Sequence, residues 1–246
     1  MLEALDGHES TIKIGGRSIS NLRFADDIDL IAGSENELQD LTTRLEKASQ
    51  KLGMEISAEK SKILVTSTSD NPTTAIVLNG EVLEEVQSFK YLGAIIAKDG
   101  CSDTEIKARL GAATAAMSRL KTIWKSNNIH LTTKMKLYKT LVLSILLYGC
   151  ESWTLTAEMQ RKLQAFENKS YRRMLNVTYL DRITNSAINE QIVANCGPQE
   201  PLITTIKTRI LKWFGRTCQN EGLSKNILQG SIQGKQMTSK VNKHPR

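Results

Sequence analysis

Asn21-Leu22-Arg23-Phe24-Ala25-Asp26-Asp27-Ile28-Asp29-Leu30 is the stretch on which the reading of this 246-residue chain turns. Leu22, Phe24, Ile28 and Leu30 share one parity around Asp26-Asp27, which predicts two short strands joined at a tip. The tip between the strands carries Asp26 and Asp27. Two adjacent carboxylates repel each other by roughly 1 kcal/mol at 4 Å even in water. A divalent cation relieves that repulsion, and Mg²⁺ takes one or two carboxylates together with substrate phosphate oxygens. Two such ions about 4 Å apart can hold the attacking and leaving oxygens of a phosphoryl transfer. The dipeptide alone also fits a polar turn, because Asp is a favoured turn residue.

Outward from this tip, the front of the chain alternates hairpin and helix signals. Ile12–Ile14, Gly15-Gly16 and Arg17–Ile19 read as a hairpin with a two-residue loop. Ser34 with Glu37 three residues later predicts a capping box. Leu38, Leu41, Leu45, Ala48 and Leu52 continue from it as one apolar helical stripe. Gly53 is placed to end that helix in a left-handed conformation. Met54–Ile56 and Ile63–Thr66 read as strands and 67–74 as a loop. Asn79-Gly80, between Ala75–Leu78 and Val82–Leu83, suits a type I′ turn. Phe89–Ile96 reads as one more apolar strand segment.

Helical periodicity takes over at about residue 101. Ser102 and Glu105 suggest a second capping box, opening a stripe of Ile106, Leu110, Ala113, Met117, Leu120 and Trp124. Thr132 or Thr133 is placed to cap a helix reaching about Tyr148. Thr156 caps another with Leu163, Phe166 and Met174 inward, and Thr184 a shorter one that stops at Gly197-Pro198. Pro201 suits the first turn of a last helix. The chain is therefore expected to be α+β, with strands and one helix over 1–98, helices over 99–217 and a disordered tail over 218–246.

Lys and Arg total 33 and Asp and Glu 26, for a net charge of +7. Residues 1–100 carry 10 basic and 17 acidic side chains, whereas 101–246 carry 23 and 9, a net of +14. A basic back half suits a polyanion such as nucleic acid, although solvated helix faces look the same. Lys107, Arg109, Arg119, Lys121 and Lys125 lie off the apolar stripe of the first back-half helix, and Lys169, Arg172 and Arg173 occupy a later one. Such rows can follow a phosphate backbone. Trp124, Trp153 and Trp213 fit core anchors better than base-stacking platforms. Cys101, Cys150, Cys196 and Cys218 are too scattered for a zinc site or a disulfide framework. The longest apolar run is far short of the about 20 residues that span a bilayer, and no secretory leader is evident. An intracellular protein without membrane contact is expected.

The box from Asn21 to Ile28 resembles the catalytic hairpin of reverse transcriptases, the aromatic-Ala-Asp-Asp motif. Further segments follow in that family's order. Gly53-Met54-Glu55-Ile56 through Lys60-Ser61-Lys62 resembles its next palm motif, with Ser61 where Thr is usual. Phe89-Lys90-Tyr91-Leu92-Gly93 resembles the primer grip. Ile123-Trp124-Lys125, Leu146-Leu147-Tyr148-Gly149-Cys150-Glu151-Ser152-Trp153 and Leu211-Lys212-Trp213-Phe214-Gly215 resemble the thumb and following region of non-LTR retrotransposon endonuclease–reverse transcriptases.

The resemblance implies a partial palm sheet, a helical thumb and a helical extension. It implies an RNA template, a DNA primer and deoxynucleoside triphosphates as partners. Asp26 and Asp27 would hold two Mg²⁺ ions, Lys60 or Lys62 would meet nucleotide phosphates, and Tyr91, Leu92 and Gly93 would hold the primer terminus. Lys60 and Lys62 fit solvated strand-end lysines equally well, and Tyr91 also fits a core position. The family uses a third carboxylate from an earlier palm strand, and Glu3, Asp6 and Glu9 lie in no box resembling that motif. A fragment of such a polymerase, inactive by itself, is the expectation. The alternatives are a non-catalytic nucleic-acid-binding module and a non-functional remnant.

Overall fold

The computed structural model describes residues 10–14, 16–66, 74–220 and 222–228. Contacts divide the chain into two compact units. One comprises residues up to Gln87 together with those from Phe214 onward, and the other Ser88–Trp213. That division falls ahead of the boundary expected at 98/99. Among the described residues the strands pair only two by two, in five ladders.

The first unit opens with β1 (Lys13–Ile14) paired antiparallel to β2 (Arg17–Ser18), the hairpin expected around Gly16. The β3 (Asn21–Phe24) and β4 (Asp27–Leu30) strands form the second hairpin. Helix α1 (Glu35–Lys51) follows, with the Ser34 side chain accepting from the Glu37 amide as the sequence suggests. The Glu37 carboxylate, by contrast, accepts from the Thr11 and Gly33 amides at 2.9 and 3.0 Å. Leu41 and Leu45 are buried on α1, and Ile28, Leu30, Ala32 and Ile56 pack against them. Gly53 has φ +68, as a left-handed helix end requires. Met54–Ile56 is not a strand, and only Lys62–Ile63 (β5) of the next segment is one. β6 (Val77–Leu78) and β7 (Glu81–Val82) flank Asn79-Gly80, where φ values of 51° and 80° mark the type I′ turn. Gln39 brackets β6: its side-chain amide accepts from the Val77 N–H at 2.7 Å and donates to the Val77 carbonyl at 2.9 Å. β8 (Glu84–Glu85) runs parallel to β5.

The second unit begins with β9 (Ser88–Tyr91) and β10 (Ala94–Ala97), a hairpin where one continuous strand was expected. Helices α2 (Asp103–Arg119) and α3 (Lys121–Lys125) follow, broken at Leu120 where the apolar stripe suggested one helix. Ser102 makes no side-chain cap. Its hydroxyl accepts instead from the Thr154 amide at 2.9 Å, so the expected capping box does not form. Helix α4 (Leu131–Leu137) is capped by neither Thr132 nor Thr133. It starts directly after His130, passes through a π-helical turn at Tyr138–Val142 and ends as α5 (Leu143–Leu146). Thr156 and Thr184 cap α6 (Ala157–Met174) and α7 (Asn185–Cys196) as expected. The last long helix, α8 (Leu202–Gln219), is followed by α9 (Leu223–Leu228), so part of the expected disordered tail is helical. Residues 229–246 lie outside the described residues, as does most of the expected loop at 67–74.

Trp124, Tyr138, Leu146, Leu163, Ile188 and Ile206 are central to the helical core, each with no exposed surface. Trp124 and Trp153 are core anchors as expected, and Trp213 is half-buried. Two buried charges are tied into this core. The Lys134 ammonium donates to the carbonyls of Trp124 and Met174 at 2.6 and 3.3 Å, satisfying C-terminal carbonyls of α3 and α6 that have no intrahelical partner. Burial lowers its pKa from the ordinary lysine value. Glu167, only 4% exposed, accepts from the Leu202 amide, the Tyr171 hydroxyl and the Gln164 side chain at 2.9, 3.1 and 2.9 Å. It thereby serves the N-terminus of α8. The four cysteines of the sequence are free thiols. No helix among the described residues is long and apolar enough to cross a membrane.

Glu167→Ala strips three donors of their acceptor and is expected to cost about 2–3 kcal/mol in a urea melt, whereas Glu190→Ala on the exposed side of α7 changes little. A second expectation follows from burial and the neighbouring Glu151 charge, which push the Cys150 thiol up to about 11. Burial raises Tyr138 and Tyr171 as well. When folded-state pKa values are raised, stability is complete below the unfolded values and is lost as pH rises through the folded ones. Unfolding midpoints should fall from pH 9 to pH 11, and Cys150→Ala should make that decline shallower.

Candidate functional site

The carboxylate pair sits where local geometry places it. Phe24 pairs with Asp27, which leaves Ala25-Asp26 as a two-residue loop. Ala25 has φ +54, a left-handed conformation at the first loop position. Both Asp26 and Asp27 are exposed. A loop of two makes each even-numbered residue of β3 pair with an odd-numbered residue of β4. Leu22 and Phe24 therefore share a face with Asp29 and Asp27, and Ile28 and Leu30 share the other with Asn21 and Arg23. The residues that share one parity along the sequence, Leu22, Phe24, Ile28 and Leu30, are thus divided between the two faces. The face with Ile28 and Leu30 packs on α1, and the face with Leu22, Phe24 and Asp27 is exposed. Adjacent exposed carboxylates form a hard-oxygen donor pair suited to a divalent cation. No group of three or more His, Cys, Asp or Glu able to hold a metal occurs among the described residues.

In the same unit, Lys60 is exposed in the turn before β5. Lys62 pairs with Glu84, Nζ to Oε2 at 2.7 Å, across the β5–β8 ladder. Glu84 therefore occupies the Lys62 ammonium, whereas Lys60 is turned to solvent.

In the helical unit, Tyr91, Leu92 and Gly93 come together at the β9–β10 tip. Leu92 and Gly93 form a two-residue loop with φ 46° and 81°, the type I′ signature. Tyr91 is half-buried and Leu92 exposed. The tip is held from the helices. Arg109 donates through Nη2 to the Gly93 carbonyl and through Nε to Glu105 at 2.6 Å. The Tyr148 hydroxyl donates to the Leu92 carbonyl at 2.8 Å.

The basic side chains divide into two groups. Lys107, Arg119, Lys121, Lys125 and Lys169 are exposed. Arg109 is set apart, because its guanidinium is engaged by Glu105, Gly93 and the ring of Tyr148, 4.5 Å away. Arg172 is half-buried and donates to the Ile183 carbonyl at 2.5 Å and to Asn185 at 2.9 Å. Arg173 reaches Ser118 at 3.5 Å. Both arginines spend donors within the fold. Lys169 and Arg172, with Arg161, Gln164, Asn168 and Asn185, line an open cleft of about 420 Å³ that has three cations and no carboxylate on its walls. The sequence reading missed Arg161. Its signal was the spacing 161, 165, 168, 172, one face of α6. It also missed Tyr148 and Glu105, whose roles depend on contacts distant in sequence.

With this geometry established, the chain can be set beside known proteins. Residues 2–96 match the family described as reverse transcriptase (RNA-dependent DNA polymerase). The match takes in both the Asp26-Asp27 hairpin and the β9–β10 tip. A transposon-derived, uncharacterised protein of Caenorhabditis elegans is 28% identical over 215 residues, which cover 85% of this chain and 75% of the relative.

Asp26→Asn and Asp27→Asn each remove one candidate hard-oxygen donor and one like-charge neighbour. Titration with Mg²⁺ or Tb³⁺ should show weaker binding in either variant, while the melting temperature holds or rises. Unchanged metal binding in both would identify the pair as a turn and nothing more.

Proposed function

We propose that this chain is part of a non-LTR retrotransposon reverse transcriptase, comprising the end of the palm, the thumb and part of the region beyond, and that it engages an RNA template and a DNA primer. The observation that carries the reading is the adjacent carboxylate pair at a two-residue hairpin tip, inside the segment that matches reverse transcriptases. The transposon-derived relative supports the mobile-element assignment.

In the intact polymerase Asp26 and Asp27 would hold Mg²⁺, which when bound supplies charge neutralisation at the phosphates of a nucleotidyl transfer. Two exposed, adjacent carboxylates suit that ion in charge and hardness. The remaining side chains orient and bind. Lys60 is the better placed of the two lysines for a nucleotide phosphate, since Lys62 is paired with Glu84. The Tyr91-Leu92-Gly93 tip contacts the primer end. Lys107, Arg119, Lys121, Lys125 and the cleft with Arg161, Lys169 and Arg172 meet phosphates of the hybrid, without reading its sequence. The resemblance implies a third carboxylate from an earlier palm strand beside Asp26 and Asp27, so polymerisation is assigned here to the intact enzyme.

Two measurements test this reading. Purified chain with Mg²⁺ and deoxynucleoside triphosphates should not extend a primer on an RNA template, and robust extension abolished by Asp26→Ala would overturn that assignment. Replacing Lys107, Lys121 and Lys125 by Gln should leave helix content intact, because all three are exposed. It should flatten the plot of log affinity for an RNA–DNA hybrid against log salt by about two to three units, at roughly 0.7–0.9 per phosphate contact. An unchanged slope would remove α2 and α3 from the binding surface.

A further inference from the structure

The β9–β10 hairpin closes on its own backbone hydrogen bonds, so further attachments at its tip set where it points and not whether it forms. Those attachments converge on two residues. Tyr148 and Arg109 each donate to a tip carbonyl, Leu92 and Gly93 respectively. The Arg109 guanidinium lies over the Tyr148 ring at 4.5 Å, where cation and ring attract. Glu105 is 5% exposed and completes the arrangement. One of its oxygens accepts from Arg109 Nε at 2.6 Å and the other from the Ile95 amide at 2.7 Å. Ile95 pairs with Lys90, and its N–H points out of the hairpin toward α2.

Gly93 fits this clamp because its φ of +81 disfavours any side chain, and it lies in van der Waals reach of Tyr148. Both tip carbonyls are thereby occupied by protein donors, and the exposed Leu92 side chain is presented at a fixed position. Arg109 neutralises a buried carboxylate while doing this, a task lysine performs poorly because it lacks the planar fork of donors.

We propose that Glu105, Arg109 and Tyr148 are positioning residues that aim the Tyr91-Leu92-Gly93 tip at the 3′ end of a primer strand. The proposal rests on the reading of this tip as a primer contact. It assigns Arg109 to the alignment of the primer end and not to the neutralisation of backbone phosphates.

The test uses the full chain and two variants, Tyr148→Phe and Arg109→Lys. Amide hydrogen exchange at Ile95 reports the clamp directly. Affinity is measured for two RNA–DNA hybrids of equal length, one with a recessed DNA 3′ end and one whose DNA strand runs through without an end. The unsubstituted chain should prefer the recessed end. Tyr148→Phe removes one exposed hydroxyl and no charge, so it should melt normally and keep the salt slope, yet lose about fivefold in affinity for the recessed end alone. Arg109→Lys should speed exchange at Ile95 by about tenfold and lose the same preference. Should Arg109→Lys melt early, Tyr148→Phe carries the test. An end preference that survives in Tyr148→Phe overturns the clamp as a positioning device while leaving the primer contact standing. If the unsubstituted chain binds hybrids without regard to ends, the primer reading falls and this proposal with it.

Discussion

A loop of two residues leaves an antiparallel pair one register, and in this protein that constraint governs both places where chemistry is expected. At Ala25-Asp26 it puts one carboxylate in the turn and the other on the first residue of β4. It also turns Ile28 and Leu30 toward α1 and Phe24 toward solvent. At Leu92-Gly93 it forces two successive residues into left-handed backbone. A longer loop would allow either tip to sample several directions. A shift of one residue would move every side chain of the strand to the opposite face. The short strands around these tips contribute little area of their own, so each tip is held by what packs against it.

The means of support differs between the two units as a whole. In the first, a helix does the work through apolar side chains and through Gln39, whose amide stands in for a neighbouring strand along β6. In the second, charged side chains carry much of it. Glu105, Lys134 and Glu167 are each 5% exposed or less, and each has hydrogen-bonding partners that compensate for lost solvent. Exposed cations remain on the outer faces of α2, α3 and α6, and others lie on α4 and α8. A polyanion would thus meet a surface whose charge is not consumed by the fold, while the charges the fold consumes are hidden from it.

How much of this could be read beforehand follows the range of the interactions. Ser34, Thr156 and Thr184 reveal themselves as caps because a cap is a contact of three residues' reach. Asn79-Gly80 announces its turn through the two residue types that tolerate positive φ. The carboxylate tip was visible as well, although the faces around it were not, because parity counted along the sequence ignores the loop. The turn at Leu92-Gly93 was hidden, since Leu carries no preference for left-handed backbone and the flanking run is continuously apolar. Arg109 and Tyr148 reach the tip across 16 and 56 residues of sequence, and no local pattern encodes such a meeting. Ser102 has the composition of a cap, but its hydroxyl is taken by Thr154, 52 residues away. The capping signal there was real in composition and lost to a competing tertiary contact.

The single ammonium of Lys134 joins the ends of two helices, through carbonyls 10 and 40 residues from it in sequence. Fraying of α6 at Met174 withdraws one acceptor from a charge that cannot leave its site without water following it. Loosening at Trp124 does the same from the other side. Local melting at either end therefore raises the free energy of the other, which couples the opening of α3 to that of the end of α6.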